Sequence, residues 1–229
     1  MQSGMLQSSG DPTASLPVAR TDCEGKPVGN RILLALPDTE YQILRPFLTL
    51  VDPRPHAVLH EPGDELEFVH FPNRGLISLI VVTREAKTVA VGVIGNEGLI
   101  GVPAVMGLNR ALHRAVVQIG AEGFRLRVET LRNLLPSAPQ LQLLLSRYAV
   151  VQGMQAAQSA ACNRLHGIEQ RLARWLLIMQ DRAEDRPLLV THDLLGDDAR
   201  NGPAQRKFGC GCSSSEKGPS ATAAALCTS

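Results

Sequence analysis

Metal chemistry is the first possibility the side chains raise: the 229-residue chain carries six histidines and five cysteines. His56, His60 and His70 stand near one another, with Glu61, Glu65 and Glu67 among them. A metal held inside a β-structure wants closely paired imidazoles plus a carboxylate, and no His-x-His pair occurs here. By pattern the three glutamates fall on turns and exposed strand faces. Cys23, Cys162, Cys210, Cys212 and Cys227 are an odd, scattered set. Cys210, Cys212 and Cys227, with His192, are the ligands a zinc site near the C-terminus would use. A lone Cys-x-Cys lacks the repeated spacing such sites show. No metal site is expected.

The elements that would position any site come next. Hydrophobic residues make up 44% and aromatic residues 3%, so the core must be Leu, Val, Ile and Ala. The net charge of +1 marks no global nucleic-acid binder; a DNA-reading surface would have to be local. No apolar run approaches the roughly 18 residues of a membrane span. The opening MQSGMLQSSGDPTAS has no basic stretch followed by an apolar one, so it is not a secretory signal. The cysteine usage fits a reducing cytoplasm.

Residues 1–28, rich in Ser, Gly, Pro and Thr, read as a disordered leader. Two short helical pieces follow in residues 30–50, the second capped by Asp38 or Thr39 and apolar along Tyr41, Ile43, Leu44, Phe47 and Leu48. From Pro55 to Val128 the pattern becomes AVLH, EFVHF, LISLIVV, TVAVGVI, AVVQI and FRLRV, separated by EPGD, PNRG and GNEG. Short strands at this spacing predict about eight strands rolled into a β jelly roll over residues 29–138. A long helix is expected over 139–165, with Leu141, Leu144, Leu145, Tyr148, Val151 and Met154 at spacings of three and four. Leu141, Leu144, Tyr148 and Val151 form the expected seam of a homodimer; the competing reading packs that seam on the chain's own sheet. IEQRLARWLLIMQDRA predicts one more helix, and RPLLVTHDLL a strand-like run with Thr191 opening another.

In order and spacing, EFVHFPNRGLISLI, VGVIGNEGLIGVP, the long helix, IEQRLARWLLIMQDR and THDLL together resemble the Crp/Fnr family of bacterial transcription regulators, over about residues 30–195. The resemblance implies an α+β chain. A cyclic-nucleotide-binding-like jelly roll would be followed by a long dimerisation helix and, over 166–195, the start of a winged helix-turn-helix domain. It also implies a homodimer whose recognition helices enter the major groove of DNA. It places the phosphate-binding cassette at Gly95, Asn96, Glu97 and Gly98. Glycines there let backbone N–H groups approach a phosphate, and Glu97 is the carboxylate for a ribose hydroxyl. The family's Glu directly follows the first Gly, where this chain has Asn96. The family's Arg-Ser pair aligns with His113-Arg114, shifting the arginine by one residue, and one step along a strand turns a side chain to the other face. Arg110 is a further candidate. Cyclic nucleotide is the effector the resemblance implies. The reading of Gly95–Gly98 as only a turn stays open beside it. Cys23 alone cannot supply the four ligands of an Fnr-type iron–sulfur cluster.

The pattern ends at Leu195. From Gly196 the chain reads GDDARNGPAQRKFGCGCSSSEKGPSATAAALCTS, with no apolar stripe and with Gly202-Pro203 against any helix. Taking the second and third bases of each codon from Gly196 with the first of the next, the permitted codons spell ATMLGTGRPSVSLAAGALQ. That is the apolar helix, glycine turn and Arg- and Ser-bearing helix the resemblance requires. Residues 196–229 are therefore expected to be a disordered, out-of-frame tail. The DNA-reading residues are then missing, and Arg200, Arg206 and Lys207 offer only salt-sensitive phosphate contacts. The function expected is a Crp/Fnr-type regulator by descent. A dimerising protein that modulates an intact relative is one alternative, and a cupin-like metalloenzyme is another. No enzymatic activity is expected.

Overall fold

Apolar runs that alternate along the chain become two antiparallel sheets. The computed structural model describes residues 20–83 and 88–183. One sheet orders β1 (Thr49–Val51), β7 (Gly123–Arg127) and β3 (Phe68–Pro72). The other orders β2 (Val58–His60), β6 (Arg114–Ile119), β4 (Leu76–Val82) and β5 (Thr88–Ile94). Every pairing is antiparallel, so the chain is an α+β jelly roll with helices at its flanks. The described residues form seven strands, six of them from the runs named above. The seventh, β1, overlaps the end of the 30–50 segment expected to hold the helical pieces. Helix α2 (Asp38–Leu44) stops early, and a single tight turn, Arg45–Phe47, carries the chain onward. Pro46 in that turn has no N–H to continue an α-helix. Phe47 is consequently exposed, and the α2 N-cap is Pro37, with no side-chain cap from Asp38 or Thr39.

Strand alternation divides the sheets between three packing layers. Val69 and Phe71 of β3 and Phe124 and Leu126 of β7 are buried against α1 (Arg31–Leu34), α2, α4 (Val128–Leu134) and the long helix α5 (Pro139–Leu165). Phe71 and Phe124 are fully buried, so truncating either to Ala would cost roughly 3–5 kcal/mol. Ile77, Leu79, Ala115 and Val117 line the inner face of the second sheet, with Ile100 beside them. Its outer face, at Leu76 and Val93, is covered by Trp175, Ile178 and Met179 of α6 (Ile168–Ala183).

Two expectations are corrected here. The leader was expected to run to residue 28, but residues 20–28 are packed on the domain: Thr21 bridges Pro27, Val28 is buried, and Arg20 lies over the Tyr41 ring while donating to the Leu33 carbonyl at 2.5 Å. Hydrogen bonds to fixed backbone acceptors hold this polar stretch, which composition alone cannot foresee. The residues expected to form a dimer seam are also placed differently. Leu141 and Leu145 are fully buried in the chain's own core, with Leu144 and Tyr148 packed on it. The exposed apolar stripe lies on the opposite side of α5, at Leu143, Val150 and Met154, with Val151 flanking it at 46% exposure. Helical spacing reveals two apolar stripes but not which one the roll covers. Residues 1–19, 84–87 and 184–229 lie outside the described residues, and with them THDLL and the expected out-of-frame tail.

Candidate functional site

The Gly95–Gly98 turn joins β5 to the short helix α3 (Val102–Val105), and its polar groups are engaged by three other elements. Asn30, which caps α1 by accepting from the Ile32 and Leu33 N–H groups, donates to the Gly98 carbonyl at 2.8 Å and to the Pro72 carbonyl at 3.0 Å. The Arg31 N–H donates to the Asn96 carbonyl at 2.8 Å, and Asn96 is buried. Glu97 turns back on its own loop: one carboxylate oxygen accepts from the Gly95 N–H at 3.1 Å, while the other pairs with Arg182 of α6 at 2.8 Å. Arg182 also donates to the Val93 carbonyl and to Gln155 of α5, the latter at 3.0 Å. The Gly98 N–H donates to the Gly95 carbonyl at 3.3 Å.

Tyr148 of α5 closes the same turn from the other side. A Cβ on Gly98 would fall on the Tyr148 hydroxyl, well inside van der Waals contact, so glycine is required for this approach. Burial beside the Glu97 carboxylate pushes the Tyr148 pKa up. The donors a phosphate would use at Gly95 and Gly98 are thus occupied by Glu97 and a backbone carbonyl, and Tyr148 stands over Gly98. An incoming phosphate must displace Glu97 or Tyr148 to reach them.

The other expected members stand elsewhere. Arg114 opens β6 and pairs with Glu61 at 2.7 Å, on the strand face opposite to Ala115 and Val117. The one-residue shift has the consequence that alternation dictates. Arg110 donates to the Gly63 carbonyl at 2.7 Å. His113 precedes β6, and burial holds its imidazole below the ordinary pKa. Gly95, Asn96, Glu97 and Gly98 therefore stand together, while Arg114 is paired with Glu61. Among the described residues no group of three or more His, Cys, Asp or Glu side chains could hold a metal ion. No helix of those residues is long and apolar enough to cross a membrane.

Two groups were missed by the sequence reading. Glu40 of α2 is 7% exposed and accepts from the Gln140 and Leu141 N–H groups at 3.0 and 2.9 Å. It caps α5 from a distance of a hundred residues in sequence, where the local cap residue Ala138 offers no side-chain acceptor. The second lies on the face of β3 and β7 turned away from the helices. Register pairs Phe68 with Arg127 and His70 with Arg125. The Arg125 and Arg127 guanidiniums sit 4.5 and 5.1 Å from the Phe68 ring centroid. Arg125 Nε and His70 Nδ1 are both buried without a hydrogen-bond partner. The signal available was the alternation Phe68-Val-His70 and Arg125-Leu-Arg127 inside otherwise apolar strands.

No family model and no curated protein matches the sequence. Solved structures match the fold. The c-di-GMP-responsive global regulator CLP of Xanthomonas campestris aligns with a TM-score of 0.55 at 14% identity, covering 68% of this chain and 76% of its own. FixK2 from Bradyrhizobium japonicum gives 0.56 at 15% identity, over 66% and 76%. A transcriptional regulator of the Crp/Fnr family from Eubacterium rectale gives 0.59 at 8% identity, over 71% and 76%. The chain has their fold: a cyclic-nucleotide-binding-like jelly roll with trailing helices.

Proposed function

We propose that this chain, built on the jelly roll and long helix that Crp/Fnr regulators share, is an effector-sensing transcriptional regulator by descent and not an enzyme. The observation that carries the reading is the bridging role of Glu97. One carboxylate ties the Gly95–Gly98 turn to α6, the helix that leads toward the expected DNA-reading head. A ligand that moves this turn would release Arg182, and with it the packing of α6 on β4 and β5. Glu97, Gly98, Tyr148 and Arg182 then act as the relay, and a cyclic nucleotide that enters the cassette is one effector that would trip it.

The exposed stripe of Leu143, Val150 and Met154 supports a homodimer through the outer face of α5, in a cytoplasmic setting. The out-of-frame reading of residues 196–229 adds that this chain lacks a working recognition helix. It would then bind DNA only weakly and without sequence preference. A gel-shift assay across a salt series tests this: tight, sequence-selective binding would overturn the lost helix while keeping the sensor. Sequencing the gene across codon 196 tests the frame directly. The same exposed stripe favours a second reading, in which the chain pairs with an intact relative and blocks it. Co-purification with such a relative supports that reading, and a strictly monomeric chain opposes both it and the homodimer.

A further inference from the structure

Helix α6 is held on the outer face of the second sheet by part of its length. Ile168, Leu172, Trp175 and Met179 stand at i, i+4, i+7 and i+11 and make one apolar stripe. Only the second half of that stripe is covered. Met179 is fully buried, with Trp175 and Ile178 beside it, against Leu76, Val93 and Ile119. Ile168 and Leu172, on the same side but nearer the helix start, stay 43% and 38% exposed. Docking also leaves two donors of α6 unmet: Trp175 Nε1 and Arg171 Nε are buried without a hydrogen-bond partner among the described residues. Water would satisfy both if the helix moved off, so they oppose docking. What favours it gathers at Arg182, in the last turn. The guanidinium pairs with Glu97 at 2.8 Å and donates to the Val93 carbonyl and to Gln155. The helix comes so close there that a Cβ on Gly95 would stand 3.1 Å from the Arg182 Cβ and 3.3 Å from its carbonyl oxygen. At the other end, His166 and Gly167 alone join α5 to α6. A short link with a glycine at one end and an ion pair at the other make a hinged arm with a catch.

We propose that α6 is a reversible, autoinhibitory arm: it docks on β4 and β5 only while Glu97 holds Arg182, and it leaves the sheet as a folded helix when that ion pair is broken. The docked arm withholds Trp175, Ile178 and Met179 from any other surface. The inference rests on the regulator reading for its use and deepens it, because the docked form is then the resting state and a signal works by drawing Glu97 off Arg182.

Trp175 is the one tryptophan of the chain, so its fluorescence reports the arm without a label. Acrylamide quenching of the full chain is compared for the unaltered protein, Glu97→Gln and Arg182→Gln, with circular dichroism recorded on the same samples. Both variants are expected to raise the quenching constant about twofold with the helical signal kept, because the arm opens locally. Asp38→Asn, which breaks the exposed pair with Arg20, is expected to leave quenching unchanged. A rise there as well would mean general loosening and would overturn the catch. Quenching that stays at the unaltered level in either Glu97→Gln or Arg182→Gln overturns it too. Quenching that rises only together with loss of helical signal overturns the arm, since α6 is then a fixed part of the core. Should the two variants fail to fold, amide exchange of the unaltered chain decides: α6 must open at lower free energy than β4, and equal protection overturns the proposal. None of these readouts involves DNA, dimerisation or an effector, so failure of the regulator reading is seen separately in the gel shift.

Discussion

The two walls of the roll differ in how their charges are matched. At the Gly95–Gly98 turn the charges have their counterparts: Glu97 meets Arg182 and a backbone N–H, and Tyr148 packs against Gly98. On the β3–β7 wall Arg125 and His70 each keep a buried nitrogen without a partner among the described residues, and the exposed Arg127 lies over the Phe68 ring. A wall whose bonds are made within the chain holds elements together. A wall with unmet nitrogens contributes less to cohesion than one whose groups are paired. The turn therefore reads as a joint, and the Phe68–Arg127 wall as a face with no such tie.

The largest test of that contrast is at Gly98. Gly98→Ala drives a methyl into Tyr148 and is expected to destabilise the fold by about 3 kcal/mol, as overpacking against an aromatic ring does. Adding Tyr148→Ala should recover part of that loss, and additive losses in chemical denaturation would deny the joint. The facing wall should show itself in acid. Burial, with His60 and Arg125 nearby, lowers His70 to about 4, so the folded state keeps it neutral while the unfolded chain protonates it near 6.5. The unfolded chain binds more protons between those values, so stability falls as pH drops through that window, by up to about 3 kcal/mol. The lowered His60 and His113 act in the same direction. His70→Phe should flatten the dependence of the denaturation midpoint on pH, and an unchanged slope would clear His70 of the effect.

Glu97→Gln is a smaller perturbation. It leaves Arg182 without its carboxylate in a partly buried place, and about 1–2 kcal/mol of local stability should go from α6. Amide exchange should accelerate in α6 and not in β3 or β7; a uniform change would show that the joint is not local. Arg114→Gln is the smallest. Its pair with Glu61 is a third or more exposed on both sides, so stability should move by less than about 0.5 kcal/mol. A larger loss in the same denaturation series would return Arg114 to the site.

Much of this was readable in the residues. Runs such as LISLIVV and TVAVGVI become β4 and β5 because apolar continuity over seven residues with glycine punctuation leaves few other outcomes. The cassette turn was visible through its two glycines. Partners distant in sequence were not. Asn30, Glu40 and Tyr148 look ordinary in their own segments and acquire their roles from Gly98 and Leu141, 50 to 101 residues away. The inward packing of Leu141 and Leu144 was hidden for a related reason: a helix with two apolar stripes does not say which the roll will cover. Arg125 was passed over because alternation names two faces without saying which is inside.

The seating of α5 on Glu40 has a mechanical consequence. The first part of the helix, through Tyr148 and Ala149, packs on the core of the roll, and the 16 residues from Val150 to Leu165 run on past that core. That second part is tied to α6 where Gln155 accepts from Arg182, and it is buried again at Cys162. At 1.5 Å per residue it is about 24 Å long. Tilting the seat by about 5° would carry its tip by about 2 Å, and the Gln155–Arg182 bond would carry α6 along with it.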